Sequence, residues 1–143
     1  MFWLSTGEPQ IRDLTFYLVG KAGFVDLKRE RRYSLATPAS DLSLLTVVHT
    51  GSDYRLVLEI VPDPLRDILL VCFELEGPYE LAIILAPPLG GTGAGDTAWV
   101  DGSALFAKRG DSALALLAAC EGVDYEVTLG RAKVVHALTH QEF

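Results

Sequence analysis

The chain has 143 residues, of which 50% are hydrophobic and 22% charged, with a formal net charge of −7 at neutral pH. A chain of this length suits one domain and buries roughly 70% of the surface its unfolded form exposes, so a packed globular fold is expected rather than disorder. The acidic balance argues against a nucleic-acid partner, which calls for a Lys/Arg-rich face.

The opening MFWLSTGEPQ has neither a basic n-region nor a long apolar h-region, so no signal peptide is read. No apolar run reaches the roughly 18 residues of a membrane span, and a soluble chain with no membrane partner is expected. Strand-like runs then follow at short spacing, beginning with 14–19 and 24–27. The basic cluster Lys28, Arg29, Arg31 and Arg32 reads as a solvated hairpin or strand edge.

Runs 44–49 and 54–61 are joined by Thr50-Gly51-Ser52-Asp53, residue types that suit a tight reversal, which predicts a hairpin. Within the second run Tyr54, Leu56, Leu58 and Ile60 alternate with Arg55, Val57, Glu59 and Val61, the pattern of a sheet with one drier face. Pro62-Asp63-Pro64 breaks the chain, and Arg66 between Asp63 and Asp67 is placed to pin the corner by charge-assisted hydrogen bonds. Arg12-Asp13 reads the same way. Residues 68–73 are apolar throughout, which predicts a central strand covered on both faces.

Further strands are read at 79–85, 105–108, 114–120 and 125–128, while 130–140 suits strand or helix. Cys72 and Cys120 sit in apolar runs without disulfide-framework spacing and read as buried free thiols. The pattern is all-β, with at least two packed layers of sheet. No internal repeat, low-complexity linker or second boundary interrupts the single domain 1–143.

The segment 81–100, LAIILAPPLGGTGAGDTAWV, stands apart: a strand stops at two prolines, crosses four glycines and re-enters structure near Trp99. Such permissive backbone marks a shaped loop. A nucleotide loop is disfavoured, because Asp96 stands where the third glycine of the dinucleotide fingerprint belongs, a strand follows instead of a helix, and no Gly-Lys-Ser/Thr is present. His136 and His140 have i, i+4 spacing but lack the intervening Glu of a metallohydrolase motif. No nucleophile elbow occurs, neither cysteine has an electropositive setting, and Glu59, Glu74, Glu76 and Glu80 read as solvated strand or turn residues. No catalytic residue, metal or cofactor is assigned.

Three blocks in order, PQIRDLTF (9–16), EIVPDPLRDILL (59–70) and LAPPLGGTGAGDTAWV (85–100), resemble the N-terminal β-sandwich domain of bacterial and archaeal glucoamylases and glucodextranases of glycoside hydrolase family 15. The resemblance covers residues 2–118, and its last block is the most specific. It implies an antiparallel β-sandwich, part of a supersandwich, that precedes an (α/α) barrel whose two Glu residues cleave α-glucans by inversion. Nothing here matches that barrel. The family's loop is richer in Asn and often has His after the first proline, where this chain has Pro88 and Asp96. The family sandwich also extends further at each side, which implies a chain shortened at both ends or a divergent remnant of that domain.

The resemblance therefore implies a non-catalytic module whose partner is a catalytic (α/α) barrel, in the same or another chain. The alternative is an independent carbohydrate-binding module for α-glucan, with Trp99 stacking on a sugar ring and Asp96 or Asp101 taking hydroxyl hydrogen bonds. A self-contained hydrolase using surface carboxylates is the weakest of the three. Gly91, Gly93, Gly95, Asp96, Trp99 and Asp101 are the candidates for contact with carbohydrate or barrel.

Overall fold

The computed structural model describes residues 13–21, 23–37, 44–63, 65–86, 89, 95–119, 122–128 and 131–137. The structure is all-β and antiparallel, as the sequence predicts, and divides into two compact units, Leu18–Tyr79 and Met1–Tyr17 with Glu80–Phe143. Strand β1 (Asp13–Gly20) contributes residues to each.

In unit Leu18–Tyr79, β2 (Gly23–Asp26) leads into the one-turn helix α1 (Leu27–Glu30). The Asp26 carboxylate caps it, accepting from the amides of Lys28 at 3.1 Å and Arg29 at 3.3 Å. Arg31 ends it in the left-handed region at φ 52°. The basic cluster is therefore an exposed helical turn rather than a hairpin or strand edge.

A four-stranded sheet follows, in the order β3 (Tyr33–Ala36), β4 (Leu45–Thr50), β5 (Arg55–Pro62), β6 (Leu69–Glu76). The β4–β5 hairpin is the one predicted, closed by the Gly51 amide donating to the Tyr54 carbonyl at 3.0 Å. Register places Tyr33, His49, Leu56 and Leu75 in one row and Leu35, Val47, Leu58 and Phe73 in the next, on one face. Leu56 and Leu58 are buried there, so the alternation read in β5 is the alternation observed. At the β5–β6 corner Asp63 accepts from the Leu65 amide at 2.8 Å, donates its own amide to the Ile68 carbonyl at 3.0 Å, and lies 3.6 Å from the Arg66 guanidinium. Arg66 pairs with Asp63 as an exposed ion pair, but the hydrogen bonds that hold the corner come from the Asp63 carboxylate and the backbone; Arg12 lies outside the described residues.

Two expectations fail in β6. The strand is the last in its sheet rather than central, and its side chains alternate, with Leu70 55% exposed. Cys72 shares the Leu70 face and is an exposed free thiol rather than a buried one. An unbroken apolar run reports the composition of both faces, and only strand order decides whether both are covered. Cys120 lies outside the described residues.

In the other unit two sheets face one another. One has β7 (Glu80–Ala86) between β1 and β12 (Arg131–Ala137), with β11 (Val123–Thr128) beyond; the other has the order β10 (Ser112–Leu117), β9 (Ala104–Arg109), β8 (Thr97–Asp101). Of the tail left open between strand and helix, Arg131–Ala137 form a strand, β12. Two-residue turns join β8 to β9 and β9 to β10, each led by a glycine at positive φ, Gly102 at 57° and Gly110 at 54°, whose twist matches that of the flanking strands.

Leu105 is buried between the layers against Ile83 of β7, Leu116 of β10 and Val123, Tyr125 and Val127 of β11. Full burial of one such leucine contributes about 1.5–3 kcal/mol. The Tyr125 hydroxyl accepts from the Ala118 amide at 2.9 Å, tying the segment after β10 to the opposing layer.

Candidate functional site

Of the glycine loop, Leu89 and residues from Gly95 onward are described, so the candidates Gly91 and Gly93 lie outside the described residues. Gly95 has φ +84°, a conformation L side chains rarely adopt, and open space where a Cβ would stand. Leu89 is buried, and its carbonyl accepts from Arg109 Nη1 at 3.1 Å. The same Nη1 lies 3.9 Å from Asp96 Oδ1. Arg109, at the end of β9, therefore holds a residue on each side of the loop at once.

The Asp96 side chain is 13% exposed, and among the described residues neither of its carboxylate oxygens has a hydrogen-bond partner. Burial of a carboxylate is costly unless a cation stands beside it, and Arg109 supplies that cation.

From Asp96 the chain enters β8, and the period of two separates the remaining candidates. Thr97, Trp99 and Asp101 share one face, with Phe106 and Lys108 of β9 opposite Trp99 and Thr97. Ala98 and Val100 take the other face, which β9 continues with Leu105, Ala107 and Arg109. Asp96 and Arg109 thus fall on the Leu105 side, whereas Trp99 and Asp101 stand on the outer side. The described candidates, Gly95, Asp96, Trp99 and Asp101, do not form one cluster.

On the outer face Trp99 stacks on Phe106 with centroids 5.5 Å apart and planes at 16°. Register sets this pair, since the two-residue turn places Trp99 directly across from Phe106, with Ala115 of β10 next in the row. Trp99 remains 41% exposed. Phe106 stands beside the indole, and β8 is the last strand of its three-stranded sheet. Asp101 and Lys108 are both exposed on the same face.

This arrangement offers an aromatic surface with hydroxyl, carboxylate and ammonium groups around it, suited to adsorbing a ligand with an apolar face and a polar rim. Sequence reasoning missed Phe106, Lys108 and Arg109. The signal that finds them is Gly102-Ser103, which fixes the register of β8 on β9.

The carboxylates considered for hydrolysis lie elsewhere. Glu59, Glu74 and Glu76 are exposed, and Glu76 is paired with Arg55 at 3.4 Å across β5 and β6. His49 is buried in β4, its ring 5.6 Å from that of Tyr33. The His136 side chain and all of His140 lie outside the described residues. Among the described residues no group of three or more His, Cys, Asp or Glu is placed to hold a metal ion, and no helix is long and apolar enough to cross a membrane.

Antiparallel sheets, two-residue turns and a core between layers make this a β-sandwich-like protein. It belongs to the family described as glucodextranase, domain N, which matches residues 1–138. The match extends beyond the 2–118 of the sequence resemblance and takes in β11 and β12. Comparison with curated proteins and with solved structures finds no match.

Proposed function

We propose that this chain is a single non-catalytic module of a glucodextranase-like glycoside hydrolase, working beside an (α/α) barrel, in the same or another chain, that hydrolyses α-glucans. The observation that carries the reading is the family match over 1–138. The exposed placement of Glu59, Glu74 and Glu76 supports it, because carboxylates in solvent lack the enclosed, opposed geometry that glycoside hydrolysis requires.

The test mixes the full chain with the separately expressed catalytic barrel of a glucodextranase and follows co-elution, the barrel's unfolding temperature and glucose release from dextran. The expected result is a complex, a barrel that melts several degrees higher, and glucose release by the barrel but not by this chain alone. Release of glucose by the purified chain, abolished by a Glu substitution, would overturn the reading, as would a barrel that ignores the chain on every measure.

A further inference from the structure

We propose that β6 is a pairing edge for a second copy of this chain, whose own β6 lies antiparallel to it across a two-fold axis at Cys72 and joins the two four-stranded sheets into one. The inference rests on strand register and is independent of the proposed function.

β6 is the last strand of its sheet, and among the described residues no other main chain pairs with its outer side. Which of its main-chain groups face outward follows from the pairing with β5. Pro62 stands opposite Leu69 and, having no N–H, cannot exchange hydrogen bonds there. The next pair along is a bonded one, since the Asp63 amide donates to the Ile68 carbonyl at 3.0 Å. Bonded and non-bonded pairs alternate along an antiparallel ladder, so Leu70, Cys72, Glu74 and Glu76 turn their amides and carbonyls to β5. Leu69, Val71, Phe73 and Leu75 turn theirs to the open edge.

An edge of this length is normally blunted by a proline, a lysine or a bulge. β6, LLVCFELE, has none of these, and its ladder to β5 runs without a register shift. β3, at the other edge of the same sheet, has four residues against the eight of β6.

Two antiparallel copies of β6 pair every one of the outward groups in a single register, the one with Cys72 on the axis. Leu69 then bonds to the partner's Leu75 and Val71 to the partner's Phe73, apolar against apolar. On the other face Leu70, 55% exposed in the single chain, stands across from the partner's Glu74, and Glu76 across from the partner's Ile68. No carboxylate opposes another. Sliding the axis by one residue leaves one end of the edge without a β6 partner, and sliding it to Glu74 sets two carboxylates face to face. The contact is isologous and closes at two copies.

Cys72, an exposed free thiol, faces the same thiol of the partner as a non-hydrogen-bonded pair, whose Cα atoms lie about 4.5 Å apart. That falls within the span of a disulfide, roughly 4.4–6.8 Å, so oxidation of Cys72 reports the register.

The experiment is sedimentation equilibrium of the full chain carrying Cys120→Ser, reduced, from ~1 μM to ~1 mM, followed by oxidation with diamide, which takes two electrons and two protons as two thiols become one disulfide. The same is done for Cys72→Lys, Leu70→Lys and Val71→Pro, each checked by circular dichroism. The expected result is a reversible dimer, weakened roughly tenfold or more by Cys72→Lys, which sets two cations against each other. Leu70→Lys, which meets the partner's Glu74, leaves the dimer as strong or stronger. Val71→Pro removes an outward amide without touching a β5 hydrogen bond and gives a monomer. Diamide yields a covalent dimer through Cys72, and a chain whose thiol is moved to position 70, Leu70→Cys with Cys72→Ser, cross-links far more slowly. Leu70 and Cys72 are exposed, so their variants test the edge even if Val71→Pro fails to fold.

A monomer across the whole range, a dimer indifferent to Cys72→Lys, equal weakening by Leu70→Lys, or equal cross-linking from position 70 overturns the proposal. A monomer that binds the barrel removes the edge pairing and leaves the accessory reading standing. A dimer that ignores the barrel does the reverse.

Discussion

His49 shows how much a single side chain can decide. It lies in β4 on the apolar face of its sheet, and among the described residues its buried Nδ1 has no hydrogen-bond partner. Burial lowers its pKa below the ordinary 6.5 because the charged imidazolium loses its hydration. In the unfolded chain the same ring takes up a proton near pH 6.5, so acid favours unfolding. Stability linked to His49 is complete above that pH and is lost as pH falls toward the lowered folded-state value, by at most about 1.4 kcal/mol per pH unit. Urea midpoints measured from pH 8 to pH 5 should fall more steeply for the parent than for His49→Phe, which keeps a ring against Tyr33. Parallel profiles would show that the imidazole is not the group responsible.

At the scale of elements, the turns after β4 and β6 hold each other. The Tyr79 hydroxyl donates to Asp53 Oδ2 at 2.9 Å, and the Tyr54 and Tyr79 rings meet edge to face at 5.8 Å. The hydrogen bond to Asp53 also raises the Tyr79 pKa, since an ionised phenol could no longer donate it. Gly77 lets the two turns approach: its φ is +121°, and a Cβ there would stand 2.5 Å from the Asp53 carbonyl oxygen. Neither the conformation nor the clash can be relieved by rotating a side chain. Gly77→Ala should therefore destabilise the fold by about 1–3 kcal/mol, read as a lower denaturant midpoint with unchanged slope. Gly110→Ala, where a Cβ meets open space but φ is positive, should cost less and separates backbone strain from steric clash.

The same scale shows why the fold was more readable than the candidate site. The β4–β5 hairpin and the buried face of Leu56 and Leu58 follow from turn chemistry and alternation within a few residues. The Arg109–Asp96 pair does not, because it joins positions thirteen apart and needs both the β8–β9 register and the parity that puts the two side chains on one face. The Trp99–Phe106 stack lies between these cases, written in Gly102-Ser103 but legible only once that turn is assigned two residues.

For the whole molecule, exposed apolar side chains remain in both compact units, including Tyr33, Leu35, Ile68 and Leu70 in one and Trp99 and Leu117 in the other. Where such side chains are contiguous they mark contact areas or association-prone patches. If the chain normally works against another domain, the isolated protein should enhance the fluorescence of 8-anilinonaphthalene-1-sulfonate and show a concentration-dependent mass in light scattering. A monodisperse monomer that leaves the dye dark would count against a partner domain.

The amino-acid sequence by itself determined the all-β class, the main hairpin, the corner at Asp63 and Arg66, and membership of a glucodextranase domain N family, because these reside in short-range patterns of turn residues, alternation and motif. Only the tertiary structure decided that β6 ends its sheet with Cys72 exposed, that Asp96 turns to Arg109, and that Trp99 stacks on Phe106 while staying partly exposed. Strand order and register bring distant residues together, and a side chain's exposure depends on what the rest of the chain places over it.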